Sequence, residues 1–117
     1  MAWVDVCSQA DLQPNSGVCA LVDDQQVAIF YVPEDEAVFA INNYDPFGDV
    51  HVLSRGLIGD IKGRSVVSSP LYKQHFDLET GQCLEDEAVK VPAYGVRITD
   101  GRVEVSLVDT QDLGVAS

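Results

Sequence analysis

The residues of this 117-residue chain best placed for chemistry fall in two proline-bearing stretches. The first is Asn43-Tyr44-Asp45-Pro46-Phe47, leading to Leu53-Ser54-Arg55-Gly56. The second is Ser68-Ser69-Pro70-Leu71-Tyr72-Lys73-Gln74-His75-Phe76-Asp77, leading to Thr80-Gly81. Asp45, Ser69 and Tyr72 offer hard oxygen donors, while Phe47 has no lone pair to give. His51 and His75 are the only histidines, and His75 and Asp77, two apart in a strand, merely share a face. No Ser or Cys sits in an elbow motif, so a hydrolytic triad has no support. Glu85-Asp86-Glu87 lacks EF-hand spacing and reads as a solvated acidic turn. Gly56-Leu57-Ile58-Gly59 lacks the Lys-Ser/Thr of a phosphate loop. Cys7, Cys19 and Cys83 are odd in number and widely spaced, with no Cys-x-x-Cys pair. They read as reduced, mostly buried small hydrophobes rather than a disulfide or metal set.

The elements that must hold these stretches are short strands. Trp3-Val4-Asp5-Val6 alternates, and Ser8 caps a short helical turn reaching Leu12. Residues 18–22 and 26–32 flank Asp23-Asp24-Gln25 as a hairpin, and 37–41 extends it into a meander. Residues 65–68 and 75–78 read as strands on either side of the Pro70 loop. Residues 96–99 and 102–107 meet at Asp100-Gly101, a strong type I′ signal. Residues 42–64 keep no sustained period of 2 or 3.6 and read as one long connection. The pattern predicts an all-β sandwich or barrel-like domain over 1–108, followed by a flexible tail at 109–117.

Composition narrows the partners. The formal charge is −12, and residues 1–54 contain no Lys or Arg. Such a chain is unsuited to nucleic acid, which needs a positive field, and to anionic lipid. No apolar run approaches a bilayer span. Met1-Ala2-Trp3-Val4-Asp5-Val6 has neither a basic n-region nor an apolar h-region, so the expected location is cytoplasmic. Arg55, Lys62, Arg64 and Lys73 hold four of the seven basic residues. They either keep company with a solubilising acidic surface or form a patch that orients docking on an acidic partner.

The two stretches resemble the frame of Rieske iron–sulfur domains, Cys-Pro-His … Leu-Ser-x-Gly and Cys-Pro-x-His-Gly-x-x-Phe-Asp … Gly. Within that class the chain most resembles small subunits of assimilatory NADH-dependent nitrite reductase. The closer likeness is carried by residues 17–21, 26–30, 45–47, 52–58, 68–76 and 81–87, and it spans about residues 3 to 107. The resemblance places the four ligand positions on Asp45, Phe47, Ser69 and Tyr72. It implies a Rieske-like antiparallel β-sandwich or barrel with two apposed loops at one end. Their spacings survive, but every thiolate and imidazole is gone, so no cluster is expected. Asp49-Val50-His51 looks like an insertion between the loops. In place of a cluster, Pro46, Phe47, Pro70, Leu71 and Tyr72 are expected to pack together, with Asp45 and Ser69 satisfying loop N–H groups.

The resemblance further implies a large-subunit partner holding FAD, sirohaem and a [4Fe–4S] cluster and reducing nitrite to ammonium with NADH. This chain would hold no cofactor and no catalytic residue, and would dock through Arg55, Tyr72, Lys73 and His75. A stand-alone binding or regulatory module for another oxidoreductase is the alternative. Weak self-association through an exposed edge strand or the apolar loop tips stays open.

Overall fold

A computed structural model describes residues 3–35, 37–71 and 73–109 of the chain. The described residues form eleven β-strands and three short 3-10 turns, with no α-helix among them. The strands are β1 (Val4–Ser8), β2 (Ser16–Val22), β3 (Gln25–Val32), β4 (Ala37–Asn42), β5 (Tyr44–Asp45) and β6 (Val50–His51). They continue with β7 (Leu57–Ile61), β8 (Arg64–Ser68), β9 (His75–Asp77), β10 (Ala93–Thr99) and β11 (Arg102–Asp109).

Six strands make one sheet in the order β1-β11-β10-β4-β3-β2. Its two edges, β1 and β2, approach each other, so the sheet curls toward a barrel. A second sheet has the order β7-β8-β9, and β5-β6 is a small hairpin of its own. All these pairings are antiparallel.

Strand β3 shows why the sequence folds this way. Val27 and Ile29 enter one buried cluster, with Leu12, Val22, Ala40, Tyr94, Val103 and Val105. Ala28 and Phe30 enter the other, with Ile41, Leu53, Val67, Phe76, Leu78 and Ala93. A strand buried on both faces needs a continuous apolar run rather than alternation, which is what Val27–Val32 supplies. The first cluster fills the curl of the large sheet; the second lies between the two sheets. Burying a side chain the size of Phe30 contributes up to roughly 3 kcal/mol.

Turn chemistry sets the register. Asp23 and Asp24 have φ of 47° and 68°, and Asp100 and Gly101 have 52° and 78°, as type I′ hairpins demand. Ser8 and Asp11 form a reciprocal capping box on the first 3-10 turn. Gly81 has φ +79°, and a Cβ there would lie 1.9 Å from the Val91 carbonyl oxygen.

The long connection expected over 42–64 is instead structured. It contains β5, β6, the 3-10 turn Leu53–Arg55 and all of β7. Gly56 and Gly59 are turn-prone types, but the hairpin turn is Lys62-Gly63, with φ of 54° and 81°. Gly59 lies mid-strand, paired with Val66. Residues 110–117 of the expected tail lie outside the described residues.

Candidate functional site

The two chemistry-bearing stretches meet at one end of the molecule. In the first, β5 and β6 pair Tyr44 with His51 and Asp45 with Val50, leaving 46–49 as the tip. The Asp45 carboxylate closes that tip: its Oδ1 accepts from the Phe47 N–H at 2.9 Å and the Gly48 N–H at 3.3 Å. Tyr44 donates its hydroxyl to Asp49, which holds the tyrosine pKa above its ordinary value, and its ring centre lies 5.3 Å from that of His51. In the second stretch, Ser69 donates its N–H to the Gln74 carbonyl at 2.8 Å and accepts at Oγ from the Leu71 N–H at 3.3 Å. These are the side-chain turns expected for Asp45 and Ser69.

One contact was not legible in the sequence. The Ser69 hydroxyl donates to Asp45 Oδ2, and both residues are buried. The loop bases are therefore joined side chain to side chain by a charge-assisted hydrogen bond. Phe47 turns inward, its ring centre 6.2 Å from that of Phe76, against the cluster between the sheets. Pro46 is half-buried, but two other members of the expected apolar knuckle face solvent: Pro70 is exposed and Leu71 is 47% exposed. Polar closure at Asp45 and Ser69 already draws the loops together, so these side chains are left facing solvent. Tyr72 lies outside the described residues.

Asn43, which sequence reasoning passed over, anchors the neighbouring turn. It is buried, its N–H donates to the Gln26 carbonyl at 2.9 Å, and its Oδ1 accepts from the Ser54 N–H at 2.7 Å. Its own carbonyl accepts from Leu53 at 3.0 Å. Arg55 is thereby fixed at the loop end. Gly56 lets the turn touch β8, since a Cβ there would lie 2.3 Å from the Ser68 carbonyl oxygen.

In register, Ser68 faces Leu57 on one side and His75 on the other. Ile58, Val67 and Phe76 alternate with that row and point into the core. Leu57 is 75% exposed. His75 is held by Glu85, whose two oxygens take the His75 backbone N–H and Nδ1, each at 2.7 Å. Burial opposes the Glu85 charge, yet the contacts to His75 outweigh it and keep the carboxyl below its ordinary pKa.

The four clustered cations do not make one patch. Arg55 and Lys73 are exposed at the loop end and have no ion pair among the described residues. Lys62 and Arg64 sit at the far end of the β7–β8 hairpin, about 13 Å along the strand. Arg64 pairs there with the buried Asp77, whose other oxygen accepts from Glu79 and Thr80 N–H groups at 2.8 and 3.2 Å. Asp77 thus serves Arg64 and the turn, and no His75–Asp77 dyad forms. The cysteines also diverge from one expectation: Cys83 is buried and Cys7 half-buried, but Cys19 is exposed.

Residues 2–106 match the Rieske-like [2Fe-2S] domain family. The nitrite reductase (NADH) small subunit of Escherichia coli strain K12 is 50% identical over 103 residues, covering 88% of this chain and 95% of that protein. The chain belongs to the nitrite reductase small-subunit family of Rieske-like domains. The solution structure of the Escherichia coli protein NirD superposes with a TM-score of 0.81 at 49% identity, over 89% of this chain and 94% of that one. A 103-residue stretch of the Klebsiella oxytoca nitrite reductase [NAD(P)H] large subunit is 34% identical, spanning 88% of this chain but 11% of that protein.

A Rieske centre takes two thiolates on one iron and two imidazoles on the other. Where the resemblance puts the two thiolates stand Asp45 and Ser69, hydrogen-bonded to each other, and where it puts one imidazole stands Phe47. These residues do not fit a [2Fe-2S] cluster. Among the described residues no group of three or more His, Cys, Asp and Glu side chains is arranged to hold a metal ion. No helix among them is long and apolar enough to cross a membrane.

Proposed function

We propose that this chain is the metal-free docking subunit of an NADH-dependent nitrite reductase. Its loop end engages a large chain that carries FAD, sirohaem and a [4Fe–4S] cluster and reduces nitrite to ammonium. The observation that carries this reading is the loop end itself. Two cations with no ion pair among the described residues, Arg55 and Lys73, flank loops closed by the Asp45–Ser69 hydrogen bond rather than by donors for a metal. The partner is favoured by the names of the relatives and by the small-subunit-like stretch inside the Klebsiella oxytoca large subunit.

Docking uses Arg55, Tyr72, Lys73 and His75, and the partner offers carboxylates opposite Arg55 and Lys73. Electrostatic complementarity of this kind speeds encounter and fixes orientation more than it adds affinity. The small chain contributes no catalytic group; it stabilises or orients the large one, in the cytoplasm.

The test is a pull-down of the large subunit from cell extract with wild type, Tyr72→Ala and Arg55→Glu. Capture by wild type and loss with either variant supports the reading. Equal capture by all three moves docking off the loop end. Capture of a different oxidoreductase instead supports a stand-alone module.

A further inference from the structure

Strand β7 is an edge of the three-stranded sheet, and its main chain is available on one side. The hairpin turn Lys62-Gly63 makes Ile61 and Arg64 a hydrogen-bonded pair. By alternation, Gly59–Val66 and Leu57–Ser68 are hydrogen-bonded too, while Ile58 and Asp60 direct their N–H and C=O groups away from β8. Outside the strand ladders, no backbone hydrogen bond among the described residues involves Ile58 or Asp60.

Beside that edge lies a groove of about 270 Å³ whose lining includes Val32, Ile58, Gly59 and Ser65. Its rim carries Asn15, hydrogen-bonded to Glu34 at 3.3 Å, and the exposed carboxylates of Glu34 and Asp60; no cation lines it. Edge strands are usually blunted by proline, lysine or a bulge. β7 has no proline, lysine or bulge and runs in unbroken register from Leu57 to Ile61, with Asp60 as its one charge.

We propose that β7 is a strand-addition site for an extended, basic segment of the large subunit. The segment pairs its main chain with Ile58 and Asp60, places an apolar side chain over Val32 and Ile58, and sets a Lys or Arg against Glu34 and Asp60. Main-chain pairing supplies affinity, and the alternate pockets supply specificity. This inference rests on the docking reading above and extends its face, because Leu57 joins the loop end to the β7 edge. The partner then meets two surfaces of opposite sign: cations at the loop end and carboxylates in the groove.

Amide exchange read residue by residue on this chain, alone and saturated with the large subunit, is the direct test. The expected result is slowing of the Ile58 and Asp60 amides by at least tenfold in the complex. Two variants accompany it. Asp60→Pro removes an outward N–H on an edge, and the Glu34→Lys/Asp60→Lys pair reverses the groove's charge. Each should weaken binding about tenfold, the charge pair most strongly at low salt. An unchanged unfolding midpoint confirms that each variant is folded. If a complex forms with protection confined to the loop end, the strand-addition site is wrong and the docking reading stands. If no complex forms, both fall. Protection at Ile58 and Asp60 in the chain alone that grows with its concentration assigns the edge to a second copy and overturns the basic segment.

Discussion

Replacing Asp45 should expose how much of the loop end depends on one carboxylate. Asp45→Ala deletes the acceptor for the Ser69 hydroxyl, the Phe47 N–H and, at longer range, the Gly48 N–H. Ser69 is 1% exposed, so its hydroxyl cannot turn to bulk water. A buried donor left unpaired costs about 1–3 kcal/mol, and a lost hydrogen bond to a charged group about 1.5–3 kcal/mol. Together these give roughly 2.5–6 kcal/mol, a large part of the 5–15 kcal/mol typical of a domain. The melting temperature should fall by about 10–24 °C. Asp45→Asn should cost only about 1 kcal/mol, because its oxygen still faces the loop N–H groups and its amide can donate to Ser69. Urea unfolding of Asp45→Ala, Ser69→Ala and the double variant isolates the pair. The double variant should cost about 1–2 kcal/mol less than the sum of the singles. A coupling below about 0.3 kcal/mol would refute the argument that this hydrogen bond joins the loops.

Gly81→Ala should be among the most damaging single changes, since the new methyl would meet the Val91 carbonyl at 1.9 Å with φ at +79°; a loss above about 3 kcal/mol in urea is expected. Thiol labelling should run in the order Cys19, Cys7, Cys83, with Cys83 reacting only on unfolding, because burial holds all three thiols above their ordinary pKa and Cys83 is 2% exposed; equal rates would contradict the packing. Glu85 has its folded pKa below its unfolded one, so its contribution is complete above the unfolded value, about 4.3, and is lost as pH falls through the folded value. The stability difference between wild type and Glu85→Gln should therefore shrink below about pH 4, and a difference that grows there has the wrong sign. A strong chelator should leave the melting temperature unchanged, as the loops are joined by Asp45 and Ser69.

The strands were legible where sequence and environment agree. Arg102–Leu107 alternates because Val103 and Val105 enter one buried cluster between polar residues, and Val27–Val32 does not because its two faces enter both clusters. Strand β7 was hidden because Gly56 and Gly59 mimic turn residues. Gly56 is there for close approach to the Ser68 carbonyl, and Gly59 pairs with Val66 mid-strand. At the loop end, the local turns of Asp45 and Ser69 could be read from residue type, because each is made with the residue's own neighbours. Their mutual hydrogen bond could not, since it joins side chains 24 positions apart and depends on how the two loops sit. Counting Pro70 and Leu71 into an apolar knuckle failed for the same reason. Hydrophobic type says what prefers burial; only the packed loops say what has room for it.

The pairing of β1 with β11 bears on how a domain of this fold can sit inside a longer chain. Val4 lies opposite Val105 on neighbouring antiparallel strands, so the chain enters and leaves the fold side by side. A unit with adjacent ends can be spliced onto, or into, another polypeptide with a short tether and without pulling any strand from its sheet. Gene fusion then changes the effective concentration of the domain near its neighbour while leaving its architecture alone. The small-subunit-like stretch within the Klebsiella oxytoca large subunit is what such a geometry permits.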